Sequence, residues 1–333
     1  IREGGFSNCS HLIQLVFPTG YEFEIREVGD NAFLNTRFQI YYEDRSKHPS
    51  TRTETTLDVL LSEVTKIGNS AFEGCGSVNG ELKFSNLQNI GDSAFKGCSG
   101  LSSLEGGNDV KIGSSAFENC TSLGTITMRV NKIGDSAFYG CKGLTNIFGS
   151  TEGSLTLSCD VGDYSFGDCD SITSVKLDNT NLGSCAFIGC DGISKVEVGN
   201  NLSALKNGTF RDCINLETLT FGSQPSLSII EKSAFYGDIK LKGNNENLFV
   251  VPDTVLHIDE YAFYGCEALT SITLGSKVAF ISDHVFEGCI SLETITISDT
   301  ATIKAIGDYS FVGCKKLSKI FGNNVGELTL SVT

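Results

Sequence analysis

A solenoid of thirteen stacked coils, mostly β with one short helical turn per coil, is the fold this sequence predicts. Three observations carry that expectation. A phenylalanine recurs thirteen times, at Phe6, Phe33, Phe72, Phe95, Phe117, Phe138, Phe166, Phe187, Phe210, Phe235, Phe263, Phe286 and Phe311, mostly 21 to 28 residues apart. Three residues after it, eleven copies carry Cys, with Thr36 and Asp238 as exceptions. Six and nine residues after it the chain is aliphatic in most copies, departing at Gln39, then at Tyr42, Glu81 and Asn244. Units that repeat at this period bury their apolar faces only by stacking on one another.

Each column has a physical reason. The stretch Leu292-Glu-Thr-Ile295-Thr-Ile297 alternates with period two and carries Thr outward, the pattern of a half-buried strand. Stacked copies predict one parallel sheet. A second extended stretch ends at the aliphatic residue five before each Phe, such as Ile90, Val161, Leu182 and Ile306. Three before the Phe stand Asp30, Asn69, Asp92, Ser114, Asp135, Asp163, Asp283 and Asp308. These residue types cap the first turn of a helix. Two after the Phe, every copy has Gly, Asn or Asp, which tolerate the left-handed backbone that ends such a turn. The Phe and Cys columns, represented by Phe72, Phe95, Phe117, Phe138 and Phe187 and by Cys75, Cys98, Cys120, Cys141 and Cys190, are therefore expected to form an inward ladder.

The 333 residues would exceed most single cores, but a solenoid grows by adding coils and reads as one array over 1–333. An insertion interrupts it around 37–63. Its polar middle, Glu43 to Thr56, carries Arg45, Lys47, His48 and Arg52, and a loop of that length is typically functional or disordered. The net charge of −15 argues against nucleic acid and against anionic lipid, both of which need clustered Lys and Arg. No apolar run is long enough to span a membrane. The chain opens in the aliphatic column at Ile1. It closes on Ile320-Phe-Gly-Asn-Asn-Val-Gly-Glu-Leu-Thr-Leu-Ser331, which matches the stretch from Ile147 to Ser158 that leads into another coil. The expectation is a piece of a longer array with repeats or caps beyond it.

The strings IGNSAFEGC, IGDSAFKGC, IGSSAFENC and IGDSAFYGC between Ile67 and Cys141, with the Leu-x-x-Ile-x-Ile strand, resemble the Treponema-type, or BspA-like, leucine-rich repeat. The likeness covers essentially the whole chain. It departs where that family has Pro after the strand: only Pro18 and Pro252 keep it, and Gly199, Gly222, Gly275 and Gly322 stand elsewhere. The resemblance implies a right-handed curved leucine-rich-repeat solenoid of the α/β horseshoe class. It also implies a non-catalytic module for protein binding, found on surface and secreted adhesin-like proteins, with a host or matrix protein as the kind of partner.

No constellation of residues predicts catalysis, a metal or a cofactor. The thirteen cysteines include no Cys-x-x-Cys, so the strongest zinc spacing is absent. Ladder cysteines one coil apart would hold their Cβ atoms about 4.8 Å apart, beyond the ordinary disulfide reach of about 3.5–4.5 Å. Cys159 and Cys185 lie off the ladder, and Cys185 falls in a column that suggests exposure. His11, His48, His257 and His284 occupy different repeats and columns. The turn Gly167-Asp-Cys-Asp170 reads as capping rather than calcium binding. Sequons stand at Asn8, Asn119, Asn201 and Asn207.

The candidate binding residues are those the strand pattern turns outward: Thr125, Thr127, Thr145, Lys176, Lys195, Glu197, Thr218, Thr220, Thr273, Glu293 and Thr296. Thr suits any solvated strand, so this face is either plain solvated sheet or a groove for a protein partner. Phe148 and Phe321 follow the strand isoleucine and are either exposed anchors or residues tucked into the turn. Two settings fit such a chain: a surface or secreted adhesin-like protein, and an intracellular scaffold within a larger assembly. Free thiols suit the second.

Overall fold

The computed structural model describes residues 1–12, 14–18, 25–44, 51–55, 57–76, 78–150, 153–178, 181–244, 246–297 and 303–321. The chain falls into two compact units, Ile1–Glu152 and Gly153–Thr333. Both are built from the same coil, and strands of successive coils pair in parallel.

In the first unit the front strands Asn79–Phe84, Gly100–Gly106, Thr125–Thr127 and Asn146–Ile147 form one sheet. A second ladder runs from Glu27–Val28 through Lys66–Ile67, Asn89–Ile90 and Val110–Ile112 to Val130–Ile133. In the second unit the front strands make two separate sheets. One holds Ser154–Leu157, Ser174–Leu177, Lys195–Val198 and Thr218–Phe221; the other holds Leu248–Val250, Ser271–Leu274, Thr294–Ile297 and Lys319–Ile320. Its second ladder runs from Ala204–Leu205 to Ala305–Ile306. Alternation is as the sequence predicts: Val175, Val196, Leu219, Ile272 and Ile295 are buried and their neighbours face out.

Where a capped helical turn was expected, the structure has a run of overlapping tight turns, which around Phe72 begins with Ala71 N–H donating to Gly68 C=O (3.4 Å). In the coil around Phe72, Glu73 N–H donates to Ser70 C=O (3.3 Å) and Cys75 N–H to Phe72 C=O (2.9 Å). Between them, Ser70, Phe72 and Gly74 N–H donate to Asp92, Ala94 and Lys96 C=O of the following coil, at 2.7, 2.7 and 2.8 Å. Alternate amides thus close a turn locally or bond along the stack, which leaves no register for a helix. The one α-helix among the described residues, Leu57–Leu61, lies in the insertion. The residue two after the Phe has positive φ in every coil, as expected, and so does the residue two before it, including Ser70, Tyr164, Cys185 and His284. Left-handed backbone costs a non-glycine residue about 1–2 kcal/mol; in most coils, as at Ser70, Tyr164, Cys185 and His284, such an amide gains a bond to the next coil.

The polar column three before the Phe does not cap a helix either. Asp30 Oδ1 accepts from Asn69 N–H (2.8 Å), Asn69 Oδ1 from Asp92 N–H (2.8 Å) and Asp92 Oδ1 from Ser114 N–H (2.8 Å). Asp163 and Asp283 repeat the bond to Ser184 and Asp308 at 2.7 Å. The side chains are rungs between coils.

The Phe column forms the core. Rings stack nearly parallel at 5.1 to 5.4 Å from Phe6 to Phe138, and Phe166 to Phe210 continue the pattern at 5.5 and 5.4 Å, within the range of favourable aromatic pairs. Phe72, Phe95, Phe117, Phe138 and Phe187 are fully buried, as are Cys75, Cys120, Cys141 and Cys190, with Cys98 at 1% exposure. The Cys column also bonds between coils, because ladder thiols donate to the Phe carbonyl one coil back. The distance is 3.1 Å from Cys98 to Phe72, 3.0 Å from Cys141 to Phe117 and 2.9 Å from Cys190 to Phe166. Thr36 keeps that bond through its hydroxyl, 2.7 Å from Phe6 C=O.

The insertion is partly ordered. Gln39–Asp44 pairs in parallel with Gln14–Pro18 on one side and antiparallel with Thr51–Thr55 on the other, making a hairpin rather than an open loop. Arg45, Lys47 and His48 lie outside the described residues, as do 322–331 of the closing stretch.

Candidate protein-binding surface

Strand alternation turns two rows of side chains outward from the first sheet of the second unit. Its register sets Ser174, Lys195 and Thr218 side by side in one row and Thr156, Lys176, Glu197 and Thr220 in the other. Lys195 is exposed and the rest of the central residues are half-buried. Lys176 Nζ sits 3.3 Å from Glu197 and 3.5 Å from Asp178. Those carboxylates hold the Lys176 ammonium above its ordinary range, Glu197 foremost. Exposed pairs of this kind add little stability, so the fold does not depend on these charges.

The other predicted residues fall on different sheets. Thr273 and Thr296 face out from the second sheet of the same unit, hydroxyl to hydroxyl at 2.7 Å. Thr125 and Thr127 belong to the first unit, where Lys83 lies 2.9 Å from Glu105 and 3.4 Å from Glu81 on the same outward face. Phe148 is tucked: its φ is 53° and its ring meets Phe138 edge-on at 6.3 Å. Phe321 shares the left-handed backbone and is half-buried.

A surface feature that the column pattern alone does not reveal lies on the turns of the second unit. Tyr236 stacks on Tyr264 at 4.6 Å, with the Arg211 guanidinium 4.7 Å from the Tyr236 ring. Tyr261, His284 and Tyr309 stack at 4.5 and 5.0 Å, and Lys232 stands 5.5 Å from Tyr261. Tyr309 is 63% exposed. The signal was present as aromatic residues in two fixed columns, two before and one after the Phe.

All thirteen cysteines are free. The expectation for Cys185 is corrected: it is buried at 7% exposure beside Tyr164, whereas Cys9 is exposed. Burial pushes the Cys141 thiol up to about 12 and raises the Cys213, Cys266 and Cys289 thiols well above their ordinary range as well. Asp238 stands where a ladder Cys would be. Its Oδ1 accepts from Cys213 N–H at 2.8 Å, its Oδ2 is buried without a partner, and desolvation raises its pKa well above the ordinary carboxylate range. Among the described residues, no group of three or more His, Cys, Asp or Glu side chains could hold a metal ion, and no helix is long and apolar enough to cross a membrane.

Comparison with curated proteins returns no match. Among solved structures, a leucine-rich repeat protein from Bacteroides ovatus is 22% identical, with 92% of this chain and 86% of that one covered and a TM-score of 0.48. A leucine rich cell surface protein from Faecalibacterium prausnitzii is 21% identical over 90% and 82%, TM-score 0.43. A leucine rich repeat protein of T. pallidum is 23% identical over 57% and 72%, TM-score 0.36. Residues 53–159, 156–245 and 242–329 match the family described as BspA type leucine rich repeat region. With the Phe ladder, the Cys rungs and the overlapping turns in place, the chain belongs to the BspA-type leucine-rich repeat family.

Proposed function

We propose that this chain is a non-catalytic protein-interaction module that engages its partner through the outward sheet face, as part of a surface or secreted adhesin-like protein. The observation that carries the reading is the pair of outward rows centred on Lys176, Lys195 and Glu197. Regular register spaces these side chains about 4.8 Å apart, and neither the core nor any catalytic grouping uses them. Rows of that kind suit an extended protein surface. Family membership supports binding, and the adhesin setting and a host or matrix partner follow from that membership by resemblance.

The test is surface plasmon resonance against a panel of purified extracellular-matrix proteins. Lys176→Glu combined with Lys195→Glu should weaken the binding seen with the wild type about tenfold or more, with the circular dichroism spectrum unchanged. Equal binding would move the contact to the aromatic turns or to the segment around His48.

A second reading, an intracellular scaffold, is favoured by one observation: every cysteine is free, and oxidising compartments ordinarily pair accessible thiols. Asn8, Asn119, Asn201 and Asn207 are all exposed. Glycan mass spectrometry on protein from its native source separates the two settings, since glycans on these sequons require secretion.

A further inference from the structure

The front face of the second unit is interrupted between Thr218–Phe221 and Leu248–Val250, which belong to different sheets. At one end of the break the chain itself runs between them. Leu219 N–H donates to Gly243 C=O at 2.8 Å, and Asn244 N–H donates to Leu248 C=O at 2.9 Å. Thr218 and Gly243 form a parallel bridge. Gly243 thus takes one strand-like position between the two sheets before the chain bends at Asn244. A Cβ on Gly243 would fall 2.4 Å from Leu248 C=O oxygen, so only glycine fits there. The chain then turns, with Asn247 at φ 59° and Asn244 Oδ1 accepting from Glu246 and Leu248 N–H, and returns as Leu248–Val250.

Beyond Asn244 the break opens into a cleft of about 750 Å³, walled by Thr220, Phe221 and Gln224 on one side and Val250, Pro252 and Thr254 on the other. Main-chain groups of a strand point alternately to its two sides. Gly222 N–H donates back to Val198 C=O (2.8 Å) while Leu219 N–H points into the break, so Phe221 N–H and C=O also face the break. Val251 N–H donates to Thr273 C=O (2.9 Å) on the far side, so Val250 N–H and C=O face the break from the opposite wall. Beneath, Phe221 and Phe249 close the core edge-to-face at 6.1 Å. Independently, the Thr254 hydroxyl in the cleft wall is buried with no hydrogen-bond partner among the described residues.

We propose that this cleft binds an extended peptide segment of a partner protein, which enters in line with Gly243 and completes a strand between Phe221 and Val250. Main-chain hydrogen bonds to both walls supply the recognition, as in other strand-addition sites. The Phe221–Phe249 floor admits a small residue (Gly, Ala or Ser) on the inward side. Outward positions fall between Thr220 and Val250 and take β-branched residues. The site adjoins the outward rows at Thr220, but Lys176, Lys195 and Glu197 do not line it.

The probe is a pool of acetylated pentapeptide amides with Ala at positions two and four and Thr, Val or Ile at one, three and five, titrated into the isotope-labelled full chain. The expected result is saturable shifts of the Phe221 and Val250 amides. N-methylation of the peptide backbone and Gln224→Trp, which fills the cleft from an exposed wall position, should each weaken binding at least tenfold. Lys176→Glu with Lys195→Glu should leave peptide binding unchanged, so this proposal and the outward-face reading fail separately. The proposal is overturned by no saturable shift up to the peptides' solubility limit, by equal binding of N-methylated peptide, or by shifts elsewhere. Concentration-dependent self-association that protects these amides without peptide would also overturn it, naming a second copy of the chain as the occupant.

Discussion

At the scale of single residues, the stack depends on side chains that serve two neighbours at once. A ladder Cys fills core volume and donates to a carbonyl one coil back, a bond a thiol makes weakly and a hydroxyl makes better. Thr36 is therefore a conservative exception, and Asp238 is not. A carboxyl there can donate only when protonated, and its partnerless oxygen carries a desolvation cost. Its folded pKa is raised above the unfolded value of about 3.9. The stability it contributes is therefore present below that value and lost as pH rises through the folded one. Asp238→Asn keeps the acceptor for Cys213 N–H and removes the charge. It should stabilise the chain by about 1–3 kcal/mol at pH 7, with the advantage shrinking toward pH 4. Urea melts at the two pH values measure this, and an equal difference at both contradicts it. Thiol reactivity follows the same burial. Maleimide on the native chain should modify the exposed Cys9 at the end of the ladder first, leave Cys185 slow because the reagent cannot reach it, and leave the interior ladder slow because burial also disfavours the thiolate there. Rapid labelling of Cys141 or Cys190 would contradict the buried ladder.

At the scale of the coil, regular columns were legible in the sequence and their exceptions were informative. All three departures in the strand column mark irregularities. At Tyr42, Ile40 takes the inward place opposite Leu15, next to the hairpin. At Glu81 the register shifts by one residue, and Leu82 pairs with Leu104. At Asn244 the sheet breaks, and Phe249 takes the place opposite Ile272. A column exception says that the coil changes length there, but not whether the extra residues form a hairpin, a bulge or a cleft, because that depends on contacts with neighbouring coils. The helical turn was misread for the same reason: Asp, Asn and Ser before a Phe cap a helix locally, yet here the stacked coil supplies better-placed donors. Of the candidate site, the outward rows were legible from period-two alternation; the aromatic stripe is written in the columns two before and one after the Phe but becomes a surface only when coils stack, and the cleft arises where stacked coils differ in length. The Ile-Gly pair of the motif also has its reason between coils. A Cβ on Gly113 would lie 2.6 Å from Asp92 N and from Gly91 C. Gly113→Ala should therefore destabilise by about 1–3 kcal/mol, as overpacking does, whereas chemical denaturation unchanged from wild type would show that the coils can part at no cost.

At the scale of the molecule, the described coils within each unit are held to their neighbours through backbone bonds, Asx rungs, thiol rungs and stacked rings. Stability in such an array is a sum of coil terms and nearest-neighbour terms. A break in the front sheet, as between Phe221 and Leu248, is tolerated because the second ladder continues past it through Ile229–Ile230 and His257–Ile258. That independence of local faces is what lets one chain carry charged rows, an aromatic stripe and a cleft on a single scaffold. The most direct test is hydrogen–deuterium exchange on Phe187→Ala, whose truncation should cost about 3–5 kcal/mol. Nearest-neighbour coupling predicts faster exchange in Ser174–Leu177, Lys195–Val198 and Thr218–Phe221, with protection at Phe280–Ile281 and Thr294–Ile297 unchanged. Uniform loss of protection from Ser154 to Ile320 would mean that the unit unfolds as one globular core, and would contradict the coil-by-coil account.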